Sequence, residues 1–325
     1  MTEILETPKL VTVFGGSGFV GRHLVRALAK RGYRIRVAVR RPDLAGFLLP
    51  LGNVGQISLV QANLRYRASV DAAVHGASHV VNCVGVLFES GRNTFDAVQD
   101  FGARAVAEAA RGVGAKLTHI SAIGADAKSA SAYGRSKGRG ENAVFNTVPD
   151  AVILRPSVVF GPEDQFFNKF AEMARFSPVL PLVGGGETEF QPIYVTDVAE
   201  AVANSVAGKV AGGKIYEIGG PDVLSFRACL EIMLKEIDRK RTFVTLPFGL
   251  ASLIGSVASL VPFVKPPLTA DQVTLLKSDN IVSDAAKSEG RTIGAFGIEP
   301  TSVEAILPSY IVRYRPQGQF SRGLA

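Results

Sequence analysis

The chain is poor in the residues that staple or metallate a fold. It has two cysteines, Cys83 and Cys229, too few for a disulfide framework. Both sit in apolar patterns, which predicts reduced, buried thiols in a reducing compartment. Of the four histidines, His75 and His79 stand four apart, but Gly76 and the start of a strand separate them. No third ligand lies near, so no metal is expected. Residues 1–9 carry Glu3 and Glu6 and no apolar run, so no secretion signal is expected. There is no internal repeat and no low-complexity tract.

What is present describes an ordinary globular chain. Its 325 residues, 47% hydrophobic and 20% charged, suit one large domain or a domain with a lobe, around a sizeable core. The formal charge is +7, and much of the excess falls early, at Lys9, Arg22, Arg26, Lys30, Arg31, Arg34, Arg36, Arg40 and Arg41. Such a surplus fits nucleic acid, an anionic membrane surface or a phosphate-bearing cofactor. No RNA- or DNA-reading motif accompanies it, so nucleic acid is not expected as a partner.

Residues 10–41, LVTVFGGSGFVGRHLVRALAKRGYRIRVAVRR, organise the rest. A strand pattern enters a glycine turn, with Gly15, Gly18 and Gly21 at G-x-x-G-x-x-G spacing. A helical pattern and a second strand follow. This is the opening βαβ unit of a dinucleotide-binding fold. Gly15 permits the sharp turn, Gly18 lets a pyrophosphate approach the backbone, and Gly21 lets the helix lie close to the sheet. The helix start, with Ser17, Phe19 and Val20, offers free amides and a positive dipole end to phosphates. An NAD site usually places an Asp or Glu after the second strand. This chain places Arg40 and Arg41, whose guanidinium forks suit a 2′-phosphate. NADP(H) is therefore the expected cofactor; two solvated surface arginines are the alternative.

Strands alternate with helices onward. Strands are expected at 57–60, 80–84, 117–121, 151–155 and 214–218, and helices at 69–75, 93–112, 133–147 and from 196 to 206. That order predicts an α/β fold, a doubly wound parallel Rossmann sheet with right-handed crossovers. Its nucleotide-binding part spans 1–155, and 191–218 returns to it. Residues 156–325 form a smaller, mostly helical C-terminal lobe, with 157–190 loop-rich. Ligands bind at the carboxyl ends of such strands. That adds Asn63 and Leu64, Val84 and Gly85, Ser121, and Pro156 and Val158 to the expected cofactor-binding set.

Tyr133 and Lys137 form a Y-x-x-x-K, so phenol and ammonium share one helix face. A neighbouring lysine favours the phenolate and lowers the tyrosine pKa, which makes Tyr133 a candidate acid or base. With Gly15–Gly21, Asn82–Gly85, Ser121 and the run RPSVVFGP from Arg155, the chain resembles an extended or atypical short-chain dehydrogenase/reductase of the NAD-dependent epimerase/dehydratase type. The resemblance implies that Lys137 binds the nicotinamide ribose, Tyr133 is the acid/base and Ser121 polarises the substrate. GPEDQFFNKFA, TEFQPIYVTDVAEAV and PPLTADQVTLLKSDN are similar to the nucleotide-binding accessory subunit of respiratory complex I and its bacterial relatives. That resemblance implies a structural NADPH held without turnover, and complex I subunits as partners. Active extended members commonly carry the substrate-polarising hydroxyl one or two residues past the strand-end serine; here those residues are Ala122 and Ile123.

Residues 242–264 contain no charge, between Arg241 and Lys265. Pro247 and Pro262 bound a helix of about 14 residues, roughly 21 Å, short of a ~30 Å hydrocarbon core. The stretch is read either as a buried helix or as an apolar patch docking, through 242–265, to a membrane surface or partner. Three functions stay open: a non-catalytic NADP(H)-binding subunit or assembly factor, an active NADP-dependent oxidoreductase, epimerase or dehydratase, and a redox sensor. The expected setting is cytoplasmic, or peripheral on the cytoplasmic face of the inner membrane, the matrix side if mitochondrial.

Overall fold

A computed structural model describes residues 9–259 and 268–316. The chain begins with β1 (Leu10–Phe14), α1 (Phe19–Lys30), β2 (Arg34–Val39), β3 (Ile57–Gln61), α2 (Arg67–Val74) and β4 (His79–Asn82). It continues with α3 (Phe101–Gly112), β5 (Lys116–Ile120), α4 (Ala132–Thr147) and β6 (Val152–Pro156). Then come β7 (Val159–Phe160), α5 (Phe167–Phe176), β8 (Val179–Val183), β9 (Glu189–Phe190), β10 (Ile193–Tyr194), α6 (Val195–Val206) and β11 (Lys214–Ile218). Last are β12 (Leu224–Ser225), α7 (Phe226–Glu236), β13 (Thr242–Leu246), α8 (Phe248–Ser259), α9 (Ala270–Leu275), α10 (Asp284–Ser288) and α11 (Val303–Ile311).

The main sheet has the order β11-β6-β5-β4-β1-β2-β3 and is parallel throughout. Its strands are apolar on both faces because helices cover both. Val11, Val13, Ile35 and Val37 turn to one face, where α1 and α6 contribute Leu24, Leu28, Val198 and Val202. Phe14, Ala38, Val80 and Ile153 turn to the other, against Val70 and Val74 of α2, Val106 and Ala110 of α3, and Val144 of α4. The strand order reverses between β1 and β4, which pair in register from Val11↔His79 to Phe14↔Asn82. The carboxyl ends of the strands at this reversal are where such sheets hold ligands, in the crevice the reversal creates.

The lobe has its own core, in which Phe160, Phe167, Phe170 and Phe226 meet Leu230, Met233 and Leu307. Tyr310 of α11 donates to buried Asp164 at 2.6 Å and so ties the last helix to the loop after β7.

Two local expectations are corrected, and one strand is added. The helix expected over 93–112 starts later: a π-helical turn, Asp96–Asp100, precedes α3. The loop-rich stretch 157–190 contains α5 and β8; Phe167, Phe170, Ala171 and Ala174 have helical spacing and are buried. In the uncharged stretch 242–264 a strand not expected from the sequence, β13, precedes Pro247 and pairs in parallel with β8. α8 then starts right after Pro247; Pro262 and Lys265 lie outside the described residues. Among the described residues no helix is long and apolar enough to cross a membrane.

Candidate functional site

The crevice is built first by the turn after β1. Gly15 has φ +76°, a left-handed conformation that costs glycine nothing. A Cβ on Gly21 would lie 2.2 Å from the Gly15 carbonyl oxygen, so only glycine allows α1 to start that close. Gly18 is the N-cap of α1 without a side-chain cap bond, and no acidic residue occupies the first turn. The first intrahelical bond runs from Arg22 N to Gly18 O, which leaves the amides of Phe19, Val20 and Gly21 facing out as anion donors. Glu163 pairs with Arg22 at 3.5 Å and His23 at 3.2 Å and pins the lobe's loop beside this helix start.

At the end of β2, Arg40 and Arg41 are exposed as the sequence implied, and both are engaged. Arg40 Nη1 donates to Asn93 Oδ1 at 3.1 Å. Arg41 gives three hydrogen bonds to the Asp43 carboxylate, at 2.7, 3.0 and 3.2 Å. Asn63 turns the chain after β3 by accepting from Arg65 N at 3.1 Å. Leu64 is buried in the core beneath Gly102, so only its backbone can face the crevice. Val84 flanks the Gly15 turn.

The other end gathers Ser121, Tyr133, Lys137 and Gly85. Lys137 Nζ donates to Ile120 O at 3.2 Å and lies 3.4 Å from where a Gly85 Cβ would stand. Burial pushes the Lys137 pKa down to about 8, against the pull of Glu141. The Ser121 hydroxyl is buried with no hydrogen-bond partner among the described residues. The expectation that Lys137 lowers the Tyr133 pKa is corrected: burial pushes it up to about 12. The Lys137 ammonium lies over the Tyr133 ring, 5.9 Å from its centroid. The Phe95 ring packs edge-on against that of Tyr133, centroids 5.7 Å apart.

These features fit a dinucleotide. The glycine turn presents a concave backbone to a pyrophosphate. Lys137 has three donors and one bond, and Ser121 has an unspent hydroxyl, so both retain capacity for ribose or nicotinamide. Pro156 closes β6, and Val158 packs against the lobe's core. The slot past Ser121 is filled differently. Ile123 donates its amide to Pro156 O, and its side chain is buried with Val282 and Ala286 of the lobe.

Sequence reasoning missed the chain that frames this end. Asp271 of α9 accepts from Ser131 Oγ at 2.8 Å, Ala132 N at 2.7 Å and Tyr133 N at 3.1 Å. It thus caps the helix that carries Tyr133 and Lys137. Asn280 accepts from Ser157 Oγ at 2.8 Å and Val158 N at 3.0 Å. Behind the site, Arg155 grips Glu141 through two bonds, at 2.6 and 2.9 Å, and reaches Glu217 at 3.4 Å. The T-A-D-Q capping box of α9 was visible in the sequence; that its aspartate caps another helix was not.

Known proteins share this architecture. The chain is 33% identical over 320 residues to an Arabidopsis thaliana protein named NADH dehydrogenase [ubiquinone] 1 alpha subcomplex subunit 9, mitochondrial; the match covers 95% of this chain and 79% of that one. It is 36% identical over 198 residues to a ceramide reductase of Caulobacter vibrioides, 61% of this chain and 60% of that one. An NADPH-dependent quinone oxidoreductase of Escherichia coli, solved with NADPH, superposes with a TM-score of 0.70 at 19% identity, covering 91% of this chain and 97% of that one. A family model described as NAD dependent epimerase/dehydratase matches residues 11–219. With that match spanning more than half its length, laid over the glycine turn and the Tyr133–Lys137 helix, the chain belongs to the NAD dependent epimerase/dehydratase family.

Proposed function

We propose that the protein binds NADP(H) in the β1/β4 crevice as a non-catalytic accessory subunit or assembly factor of respiratory complex I. The amides of Phe19, Val20 and Gly21, with Ser17 and the Gly15 and Gly18 backbone, take the pyrophosphate. Arg40 and Arg41 take the 2′-phosphate, and Asn63, Leu64, Val84 and Gly85 flank the adenosine and its ribose. Lys137 and Tyr133 take the nicotinamide ribose, with Ser121, Pro156 and Val158 around the ring. When bound, the nucleotide supplies a hydride carrier; the chain's residues hold it and exclude water.

The observation that carries the non-catalytic part is Ile123, which turns the position of a substrate-polarising hydroxyl into apolar contact with the lobe. The complex I part is supported by likeness to a complex I subunit that runs through the lobe as well as the nucleotide fold. The protein is purified under its own promoter with a C-terminal tag. Complex I subunits and retained NADPH are expected in the eluate, with no NADPH oxidation. Free protein carrying no nucleotide would refute the reading. Replacing both Arg40 and Arg41 by alanine should weaken NADPH by roughly 1.5–3 kcal/mol per charge-assisted bond removed and leave NADH unchanged.

A second reading, an active NADP-dependent reductase, epimerase or dehydratase working through Tyr133 and Lys137, draws support from the likeness to a ceramide reductase. Tyr133→Phe separates the two: it abolishes turnover in an enzyme and leaves nucleotide and partner binding intact in a subunit.

The exposed Val244, Leu250, Leu253 and Ile254 of β13 and α8, beside Arg239, Lys240 and Arg241, favour peripheral contact with an anionic membrane face near that complex. On this reading the protein sits peripherally on the cytoplasmic face of the inner membrane, the matrix side if mitochondrial. Sedimentation with anionic but not neutral vesicles tests this contact.

A further inference from the structure

Both arginines proposed to read the 2′-phosphate are already bonded to oxygens of the chain itself. The Arg41 fork, Nε and Nη2, faces both oxygens of Asp43. That is the geometry in which a guanidinium grips a phosphate. Arg40 Nη1 is held by the Asn93 amide oxygen. Asn93 lies on the loop between β4 and the π-helical turn, where Ser90 and Asn93 bond each other's backbone at 3.0 and 3.2 Å. Arg65, from the chain after β3, donates to Arg92 O at 3.3 Å and holds the same loop.

We infer that Asn93 and Asp43 set the nucleotide selectivity by competing with the 2′-phosphate for Arg40 and Arg41. A 2′-phosphate must take the fork from Asp43 and the Nη1 donor from Asn93, whereas a 2′-hydroxyl needs neither exchange. The internal oxygens therefore lower affinity for NADP(H) selectively. A dianion outbids a neutral amide for a guanidinium, so NADPH frees Asn93 and loosens its loop. That loop leads into Phe95, which packs on Tyr133, and Gln99, which accepts from Ser136 of α4 at 2.7 Å. Phosphate at one end of the crevice is thereby felt at the other.

The inference rests on the NADP(H) reading, and calorimetry with NADPH and with NADH separates their failures. Wild type, Asn93→Ala and Asp43→Asn are titrated in parallel. Each variant should bind NADPH tighter by on the order of three-fold, the worth of one net hydrogen bond, with NADH unchanged. Asn93→Ala alters no charge, so its gain distinguishes competition from the removal of a repelling carboxylate. Hydrogen exchange at the Ser90 and Asn93 amides should speed up with NADPH and not with NADH. Equal gains for both nucleotides, or no gain in either variant, overturn the inference while leaving NADP(H) binding intact. Wild type that binds neither nucleotide overturns both.

Discussion

Replacing Asp271 by alanine tests how the lobe holds the helix that carries Tyr133. One carboxylate accepts three hydrogen bonds, from Ser131 Oγ and the amides of Ala132 and Tyr133. Bonds to a charged group are worth about 1.5–3 kcal/mol each when their donors are left dry. Ala132 and Tyr133 are only partly buried, so water replaces some of what is lost. Ser131 also keeps its own cap bond to Gly134 N, 3.2 Å. The cost then falls near that of losing a good N-cap, about 2 kcal/mol. At about 2.1 cal/mol/K of unfolding entropy per residue, 325 residues give ~0.7 kcal/mol/K, so Tm should fall by about 3 °C. Asp271→Asn retains one acceptor oxygen and should fall between. The more specific assay is hydrogen exchange, in which the Ala132 and Tyr133 amides should lose protection while those of β1 and α1 do not. A shift under about 1 °C with unchanged exchange would refute the idea that α9 caps α4.

With Lys137 on the nicotinamide ribose as proposed, nucleotide affinity should be pH-dependent: its ammonium is lost above about pH 8, so binding should weaken by up to about twenty-five-fold between pH 7.5 and 9.5, and Lys137→Met should be weak and flat across that range. Gly21→Ala drives a methyl into the Gly15 carbonyl, so nucleotide binding should be abolished and about 1–3 kcal/mol of stability lost, read by calorimetry and urea unfolding. His79 and His119 are held neutral by burial, at about 4 and about 3, helped by Lys116 and Lys137 respectively. The unfolded chain takes up those protons first, so their contribution is whole above pH 6.5 and is lost as pH falls toward 4, at up to about 1.4 kcal/mol per pH unit for each histidine. His79→Gln should flatten the slope of urea stability over that interval, and an unchanged slope would count against a neutral buried His79.

The glycine turn between β1 and α1 was legible because its physics is local. A strand, three glycines at fixed spacing and a helix are consecutive, and each glycine answers to atoms a few residues away, as Gly21 does to Gly15. The sheet was legible for a related reason: strands buried on both faces read as apolar runs. α5 was missed although Phe167, Phe170, Ala171 and Ala174 repeat at helical spacing, because the glycines around it dominate the reading. β13 was missed because a five-residue strand is stabilised by a partner, β8, that lies some 60 positions earlier. The Tyr133 pKa was misread for a similar reason. Lys137 is four residues away and visible, whereas the burial that outweighs it comes from the whole packed fold.

On the accessory-subunit reading proposed above, that division explains how the site keeps a nucleotide while its chemistry is closed. The pyrophosphate part of binding depends on short-range backbone geometry after β1, where Gly15 and Gly21 answer to each other. Turnover depends on hydroxyls and protons set to within half an ångström by residues more than a hundred positions apart. Here the distant residues are Asp271, which fixes the first turn of α4, and Val282 and Ala286, which hold Ile123 in apolar contact. If apolar packing at that slot is what withholds catalysis, then Ile123→Thr alone should not restore it. The hydroxyl would be drawn toward Val282 and Ala286, unsatisfied, at about 1–3 kcal/mol of stability. Ile123→Thr with Val282→Ser and Ala286→Gly should release the segment and expose the hydroxyl to the crevice. NADPH oxidation by a ketone in the triple variant and not in the single one is the expected pattern, and activity in the single variant would show that the lobe does not gate the site.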